Sequence, residues 1–230
     1  MLNIVFVLVK PAVPANVGAA ARAMKTMGFT EMRLVNPCDH LSPEARMLAH
    51  ASNDILENAT VFISLEEALE QMDFVIGTTS RRRTVRNKFL GAEELPEIIL
   101  NKGEFIKNVA IVFGNEESGL SNSDADLCHV LATVSMATRY PSLNLAQAVM
   151  IFAYELSVLS GKKNKKSVAK LNHESWLVLR RRTELLLDNL NLREDRLIRV
   201  KLLERMALLE EQDIFLLHAL VIKLLSESNR

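Results

Sequence analysis

Two short runs of apolar, largely β-branched residues, at positions 4–9 and 109–113, constrain the fold of this chain more than any other feature. Uninterrupted runs of this kind are typical of strands that are covered on both faces of a parallel sheet. Helix signals stand between such runs, as at residues 16–27, where Asn16 opens an alanine-rich segment and Gly28 follows it. The alternation continues through predicted strands at residues 32–35 and 74–77 and predicted helices at residues 42 onward, 64–71 and 93–100. It predicts an α/β fold with a mostly parallel sheet and helices on both faces.

The net charge of the 230 residues is zero, but the charges are unevenly distributed. Residues 161–230 carry 15 basic and 10 acidic side chains, whereas residues 1–160 carry 13 basic and 18 acidic ones. We therefore predict an α/β domain at residues 1–160, a basic linker at residues 161–170, and a small all-α module at residues 171–230. Apolar residues at helical spacing predict three helices in the module, near residues 176–187, 193–209 and 212–225.

Cysteine usage and hydropathy indicate where the protein works. Cys38 and Cys128 are far apart and lack a CxxC or histidine context, which argues against a disulfide framework and against a zinc site. No run reaches the roughly 18 apolar residues of a membrane span, and the apolar start lacks the basic region of a signal peptide. These features predict a cytoplasmic protein without a metal or membrane partner.

Residues 134–160 combine a short apolar strand, a polar turn and a long apolar helix. Pro141 cannot donate to a strand ladder, so the chain is expected to turn there. Ser142 or Asn144 is then placed to cap a largely buried helix that begins at Leu145. Two interpretations remain open at this point: an ordinary capped core helix, or a turn whose backbone N–H groups and polar side chains form part of a binding site.

The strand at residues 109–113 runs into a loop in which Gly114 and Gly119 bracket an acidic pair that includes Glu116. Glycines permit close backbone approach to a ligand, and a carboxylate accepts hydrogen bonds from a hydroxyl or an amine. An ordinary loop capped by Ser121 or Ser123 fits the same pattern. Neither G-x-G-x-x-G after the first strand nor G-x-x-x-x-G-K-[ST] is present, and Ser142 lacks the G-x-S-x-G context of a hydrolase.

Three stretches, taken in this order and at these separations, resemble the three motifs of the SpoU family of RNA ribose 2′-O-methyltransferases, within the SPOUT superfamily. They are Asn16-x-Gly18-x-x-x-Arg22, Val112-Phe113-Gly114-Asn115-Glu116-x-x-Gly119-Leu120 and Ser142-Leu143-Asn144-Leu145. The run Ala21-Arg22-Ala23-Met24-Lys25-Thr26-Met27-Gly28 and the arginines after Gly77-Thr78-Thr79 most resemble the TrmJ/LasT-like branch. The resemblance covers roughly residues 1–160, about one domain of chain.

The resemblance implies a SPOUT fold with a C-terminal trefoil knot, a homodimer, and S-adenosylmethionine held in the knot. A knot of this kind does not follow from composition or periodicity and rests on the resemblance alone. The implied cofactor contacts come from three loops and from the start of the helix after them. They are Thr78, Thr79, Ser80, Gly114, Leu120, Val134, Met136, Ser142, Leu143 and Asn144.

The implied reaction is attack of a ribose 2′-hydroxyl on the sulfonium methyl group, for which no metal is needed. The implied catalytic residues are Arg22, Asn16, Glu116, Ser142 and Asn144. Arg22 matches the family's catalytic arginine. Two roles stay open for it: a base after neutralisation in the site, or a cation that holds a phosphate and stabilises the developing alkoxide. The second role agrees better with a guanidinium that stays protonated.

The expected substrate is RNA, most specifically tRNA, with cytidine or uridine at the 5′ end of the anticodon loop as the target. The expected RNA contacts are Arg81, Arg82, Arg83, Arg86, Lys162 and Lys163. A solvated loop would explain the arginines equally well in isolation, and the helical module suits an RNA-gripping role or a dimerisation arm. The alternatives in function are an rRNA 2′-O-methyltransferase, a non-catalytic RNA-binding protein with this fold, and a flavodoxin-like enzyme of small nucleotides.

Overall fold

The structure is a computed structural model that describes residues 2–80, 89–137, 143–160, 174–190, 196–209 and 211–228. Seven strands are present in these ranges: β1 (Asn3–Val9), β2 (Met32–Val35), β3 (Thr60–Phe62), β4 (Phe74–Thr78), β5 (Leu90–Gly91), β6 (Asn108–Phe113) and β7 (Val130–Thr133). Six helices of the described ranges lie between β1 and β7 along the chain: α1 (Pro14–Thr26), α2 (Pro43–Ala49), α3 (Asn53–Glu57), α4 (Leu65–Ala68), α5 (Leu95–Asn101) and α6 (Asn122–Leu127). The remaining helices are α7 (Leu145–Leu156), α8 (Glu174–Asn189), α9 (Arg196–Met206) and α10 (Glu211–Ser228).

The strands form one sheet in the order β3-β2-β1-β6-β4-β7-β5, and every pairing between the described strands is parallel. The two apolar runs that dominate the sequence pair directly, with Ile4 opposite Val109 and Leu8 opposite Phe113. The chain builds outward from β1 to β3 and then returns to the other side of the sheet through β4. The predicted α/β fold with a mostly parallel sheet is therefore confirmed.

Alternating side chains of β1 enter two separate apolar cores, one on each face of the sheet. Phe6 and Leu8 belong to a cluster that also contains α1, α5 and α7, whereas Val5 and Val7 belong to a second cluster with α4 and α6. Because both faces are covered, a polar residue at any of these positions would be buried. This explains why residues 4–9 show no polar alternation.

The first helix begins earlier than the sequence pattern indicated. Pro14 is its first residue, so Asn16 lies inside the first turn and does not cap the helix. Proline suits this position, since its fixed φ is helical and its missing N–H would have had no partner within the helix. Gly18 lies against α2 so closely that a Cβ would be 2.0 Å from the carbonyl oxygen of Ala45. Gly28, with φ of 86°, ends the segment as predicted.

Two other boundaries differ from the prediction. A strand was expected to begin the stretch at Val134, but the strand lies four residues earlier, as β7 (Val130–Thr133), and ends just before Val134. It pairs with β4 from Val130 onward. His129 interrupts the apolar pattern ahead of this strand and conceals its start in the sequence. The helix expected at residues 64–71 ends at Ala68, and a positive φ at Gln71 turns the chain into β4. The short elements β3, β5, α3 and α6 were not predicted.

The three C-terminal helices, α8 to α10, pack at the end of the sheet where its strands begin. Ala207, just after α9, and Leu179 of α8 are buried in the same apolar cluster as β1 and α7. The ammonium group of Lys102, which follows α5, donates a hydrogen bond to the carbonyl oxygen of Ala207. This lysine is 2% exposed, and its Nζ lies 4.6 Å from the ring centroid of Phe74 at the start of β4. The predicted linker boundaries stay a prediction, since residues 161–173 lie outside the described ranges.

Burial lowers the pKa of Lys102 to about 8, and this predicts a specific dependence of stability on pH. The folded-state pKa is below the unfolded value, so protonation favours the unfolded chain. The destabilisation is complete below about pH 8 and disappears as the pH rises towards 10.5. Relative to a Lys102→Met variant, the wild type should therefore gain on the order of 3 kcal/mol of unfolding free energy between pH 7 and pH 10.

Urea unfolding at several pH values measures this difference. Lys107→Met is the matched control, because Lys107 is an exposed lysine five residues further along the chain. It should keep the pH profile of the wild type. A difference between the wild type and Lys102→Met that stays constant from pH 7 to pH 10 would contradict the burial of an ionisable amine at this junction.

Candidate active site

A cleft of about 330 Å³ opens beyond the carboxyl ends of β4, β6 and β7. Open parallel sheets commonly bind ligands at this edge, and the volume lies within the usual range for small-molecule sites. The loop after each of the three strands contributes one wall, and the first two turns of α7 close the cleft. The lining residues predicted from the sequence are Thr78, Thr79, Ser80, Gly114, Glu116, Leu120, Val134, Met136 and Leu143.

The loop after β6 folds back on itself beside the cleft. A β-bridge joins Asn115 to Gly119, and the N–H of Gly119 donates to the carbonyl oxygen of Asn115 over 2.8 Å. A Cβ on Gly114 would lie 2.1 Å from the carbonyl carbon of Gly119 and from the nitrogen of Leu120. Gly119 itself has φ of 69°, which favours glycine. The two glycines are therefore required by the loop's own geometry.

Hydrogen bonds also fix the end of β4 beside the cleft. The hydroxyl of Thr78 donates to the carbonyl oxygen of Val112 over 3.0 Å, and the N–H of Thr79 donates to the carbonyl oxygen of Ala132 over 2.9 Å. These bonds join the end of β4 to both neighbouring strands. Thr78 and Thr79, which line the cleft, are thus anchored on a rigid part of the sheet, as a preformed site requires.

A chain of hydrogen bonds joins the three sequence motifs next to the cleft. The side-chain amide of Asn144 donates to Oδ1 of Asn16 over 2.8 Å, and the side-chain amide of Asn16 donates to Oε1 of Glu116 over 3.0 Å. Glu116 also accepts the N–H groups of Ala12 over 2.9 Å and Val13 over 3.3 Å, at the start of α1. We call Glu116, Asn16 and Asn144 the motif clasp.

The carboxyl group of Glu116 is held in its ionised form. Partial burial raises its pKa, but the hydrogen bonds donated by Ala12, Asn16 and Val13 outweigh this effect, and the pKa lies below its ordinary value overall. The carboxylate stands at the amino-terminal end of α1, where negative charge is also favoured by the helix dipole. At neutral pH it therefore serves as a fixed hydrogen-bond acceptor for the clasp.

Asn144 begins α7 and has both ends of its side-chain amide engaged. Oδ1 accepts the N–H of Ala146 over 2.8 Å, while the side-chain N–H group reaches Asn16. Oε1 of Gln147 in turn accepts the backbone N–H of Asn144 over 3.1 Å. The capping role predicted for Asn144 is confirmed, and Asn144 stands beside the lining of the cleft, next to Leu143 and Leu145.

Arg22 lies away from the cleft of its own chain. It is exposed on α1, two turns after the clasp residue Asn16, and it is absent from the cleft lining. The neighbouring helix α7 exposes Tyr154, and the turn after it exposes Val158, which are 62% and 49% exposed. Within a single chain, the sequence motifs therefore bring Asn16, Glu116 and Asn144 together but leave Arg22 exposed outside the described lining of the cleft.

Several predicted site residues lie outside the described part of the chain. They are Ser142, Arg81, Arg82, Arg83, Arg86, Lys162 and Lys163. Their assigned roles stay predictions.

Sequence reasoning missed some residues that line the cleft. They are Phe113, Asn115, Glu117, Ser118, Thr133, Leu145, Ala148 and Phe152. Two signals were available for part of this set. Asn115 and Thr133 stand at the ends of strands, where ligands collect, and Leu145, Ala148 and Phe152 recur at the spacing of one helix face.

The described ranges contain neither a metal-binding cluster nor a membrane-spanning helix. Among these residues, no three His, Cys, Asp or Glu side chains converge on a point that could hold a metal ion. No helix in them is long and apolar enough to cross a membrane.

Comparison with known proteins identifies the family. A profile of the SpoU rRNA Methylase family matches residues 3–154, and a profile of the C-terminal domain of the tRNA/rRNA methyltransferase LasT matches residues 173–227. The chain is 41% identical over 220 residues to an uncharacterized tRNA/rRNA methyltransferase, LasT, of Escherichia coli, with 96% of each chain covered. It is 40% identical over 156 residues to the tRNA (cytidine/uridine-2'-O-)-methyltransferase TrmJ of Pectobacterium atrosepticum, covering 68% of this chain and 64% of that protein.

A solved structure agrees with these matches. The crystal structure of TrmJ from Z. mobilis superposes with a TM-score of 0.66 at 30% identity, covering 96% of this chain and 98% of the other. The parallel sheet and its three-loop cleft thus define an α/β methyltransferase of the SPOUT type. The chain belongs to the SpoU methylase family, in its TrmJ/LasT-like branch. The predicted family and enzyme class are confirmed, a methyl donor is implied by the class, and the knot stays a prediction.

Proposed function

We propose that this protein is an S-adenosylmethionine-dependent RNA ribose 2′-O-methyltransferase of the cytoplasm. Its proposed substrate is tRNA, with cytidine or uridine at the 5′ end of the anticodon loop as the target. The observation that carries the proposal is the motif clasp, because Glu116, Asn16 and Asn144 join three distant motifs at the rim of one cleft. The printed activity of the TrmJ relatives supports the choice of tRNA and of the 2′-hydroxyl.

The cleft fits the proposed methyl donor in size and chemistry. Its walls combine apolar side chains, including Leu120, Val134 and Leu143, with backbone and hydroxyl groups of Thr78, Thr79 and Ser80. Apolar walls suit the faces of an adenine, and backbone groups at strand ends suit its polar edges and a ribose. Because Gly114 has no Cβ, the loop can fold back against Gly119 and Leu120 and form one wall of the site. When bound, the donor supplies an electrophilic sulfonium methyl group.

The residues of the clasp are proposed to position the site, and none of them is proposed to take the proton. Glu116 is ionised and saturated by N–H donors, and both amide ends of Asn144 are engaged. Together they hold the starts of α1 and α7 at the rim of the cleft. A fixed rim is what in-line attack requires, since a misplacement of about 1 Å costs on the order of 100-fold in rate.

Arg22 is proposed to act on the cleft of a partner protomer. It is an exposed cation outside the lining of its own cleft, and the neighbouring helix α7 and the turn after it present the exposed residues Tyr154 and Val158. Pairing of two chains through α1 and α7 would cover these side chains and bring Arg22 to the partner's cleft. There the guanidinium, which stays protonated, would hold an RNA phosphate and stabilise the developing alkoxide.

Methyl transfer to RNA is the direct test of this function. The purified protein, incubated in chelator with labelled S-adenosylmethionine and unmodified tRNA, should place one 2′-O-methyl group in the anticodon loop, as located by mass spectrometry. The same tRNA with a 2′-deoxyribose at that position should accept no label. Labelling of rRNA alone would assign the activity to the rRNA alternative, and RNA binding without any transfer would indicate a non-catalytic protein.

A further inference from the structure

Lys10 occupies a backbone conformation that is unusual for its residue type. Its φ is 49°, in the left-handed region that lysine rarely adopts. Asn36, His50 and Gln71 also have positive φ, but asparagine adopts this region more readily than lysine, and His50 and Gln71 follow the last turn of a helix, where a left-handed residue is common. Lys10 instead follows a strand, β1, so the end of a helix does not explain it.

The surrounding structure imposes this conformation. The N–H of Lys10 donates to the carbonyl oxygen of Val35 over 2.8 Å, and its carbonyl oxygen accepts the side-chain amide of Asn115 over 2.7 Å. Pro11, which follows, is buried. Glycine or asparagine would satisfy the same turn with less strain. Strained residues of this kind persist mainly where a side chain has a function.

The backbone of Lys10 lies next to the rim of the cleft. Asn115, which holds its carbonyl oxygen, lines the cleft together with Glu116 and Glu117. The Lys10 side chain is exposed, and within the described ranges no hydrogen bond or ion pair joins its ammonium group to another residue. The two carboxylates would repel an approaching phosphate. A cation at this rim is therefore needed for a polyanion to come close.

We propose that Lys10 binds a phosphodiester of the RNA strand next to the ribose that is methylated. This inference rests on the proposed function, since it requires an RNA substrate in the cleft. The turn holds the lysine Cα in a fixed position, so that the flexible side chain reaches phosphates only in a limited region beside the cleft. A lysine in this turn thus reflects the contact with RNA, at the expense of fold stability.

Three substitutions separate the charge of Lys10 from its backbone strain. Lys10→Ala and Lys10→Gly should both weaken tRNA binding about threefold to tenfold at moderate salt, and should lower the slope of log affinity against log salt by about one. Lys10→Arg should keep both quantities near the wild type. Lys10→Gly should raise the melting temperature by about 2 °C, because glycine relieves the strain, whereas Lys10→Ala should leave it unchanged.

Fluorescence anisotropy with labelled tRNA at several salt concentrations, together with thermal unfolding, measures these effects in the full chain. Lys107→Ala is the matched control, because it removes an exposed lysine at the opposite, amino-terminal edge of the sheet. A wild type that binds tRNA in a salt-dependent way while Lys10→Ala binds equally well would overturn this inference alone. A wild type without salt-dependent tRNA binding would overturn this inference and the proposed function together.

Discussion

Arg22→Ala is expected to lower the single-turnover rate of methyl transfer by a factor of about 10³ while leaving the affinity for S-adenosylmethionine unchanged. The reason is geometric: Arg22 is exposed on α1 and absent from the cleft lining, so its loss removes no cofactor contact. It would remove the positive charge that stabilises the developing alkoxide. Rapid-quench kinetics on tRNA measure the rate, and calorimetry measures the cofactor affinity.

Lys25→Ala is the matched control for this variant, since Lys25 is an exposed cation on the same helix. Its ammonium group is paired with Asp54 at 2.6 Å and is therefore committed to a contact within the protein. It should retain a rate close to that of the wild type. Near-normal single-turnover rates in Arg22→Ala would show that the assigned role of Arg22 is wrong.

Mixing Arg22→Ala with Gly114→Ala, at a concentration of S-adenosylmethionine too low to occupy the Gly114→Ala cleft, tests whether Arg22 serves the partner's cleft. A protomer with Arg22→Ala keeps an intact cleft, and a protomer with Gly114→Ala keeps Arg22. In a mixed dimer, one of the two clefts would combine an intact Gly114 loop with the partner's intact Arg22. Half of the dimers formed by random exchange of equal amounts are mixed, so about a quarter of the wild-type activity should return. Mixtures that stay as inactive as the separate variants would place Arg22 at its own cleft or outside catalysis.

Gly114→Ala is expected to weaken S-adenosylmethionine binding about 100-fold, equivalent to about 3 kcal/mol. The added Cβ would lie 2.1 Å from backbone atoms of Gly119 and Leu120, which no side-chain rotation can relieve. The loop must shift, and it forms one wall of the cleft. Calorimetry on the folded variant measures the loss of affinity, with circular dichroism to confirm the fold.

Gly28→Ala provides a control of the same chemical size. Gly28 has φ of 86°, and its added Cβ would meet Ser160 at the end of α1 that lies away from the cleft. This variant should lose stability but keep its affinity for the cofactor. Equal affinity in Gly114→Ala and the wild type would contradict the role of the Gly114 loop as a wall of the cofactor site.

Much of the fold was predictable because the relevant signals are local. The parallel strands β1 and β6 follow from apolar runs that need cover on both faces, and the start of α7 follows from Asn144 as its cap. Local sequence signals failed to predict the ends of elements where a tertiary contact replaced a local one. The start of α1 has no side-chain cap, since Glu116, about one hundred residues away, accepts the N–H groups of Ala12 and Val13.

The candidate site, like the fold, was predictable only where the signals in the sequence are local. The resemblance to the SpoU-family motifs implied that residues near positions 16, 116 and 144 act together, and local turn signals placed the glycines of the loop after β6. Spacing did not distinguish a clasp that positions two helices from groups that touch a substrate. That distinction depends on which atoms already have hydrogen-bond partners, and these partners come from elements at least one hundred residues apart.

The sequence by itself determined the α/β class, the family and the three loops that form the cleft. Each of these depends on patterns and motifs within short runs of neighbouring residues. Only the tertiary structure decided that Arg22 is exposed outside the described lining of its own cleft, that Lys10 has a positive φ beside the cleft, and that Lys102 is buried next to the C-terminal helices. The orientation of a helix face and the burial of a charge depend on which elements pack together. Packing is a property of the whole chain, and a local pattern does not record it.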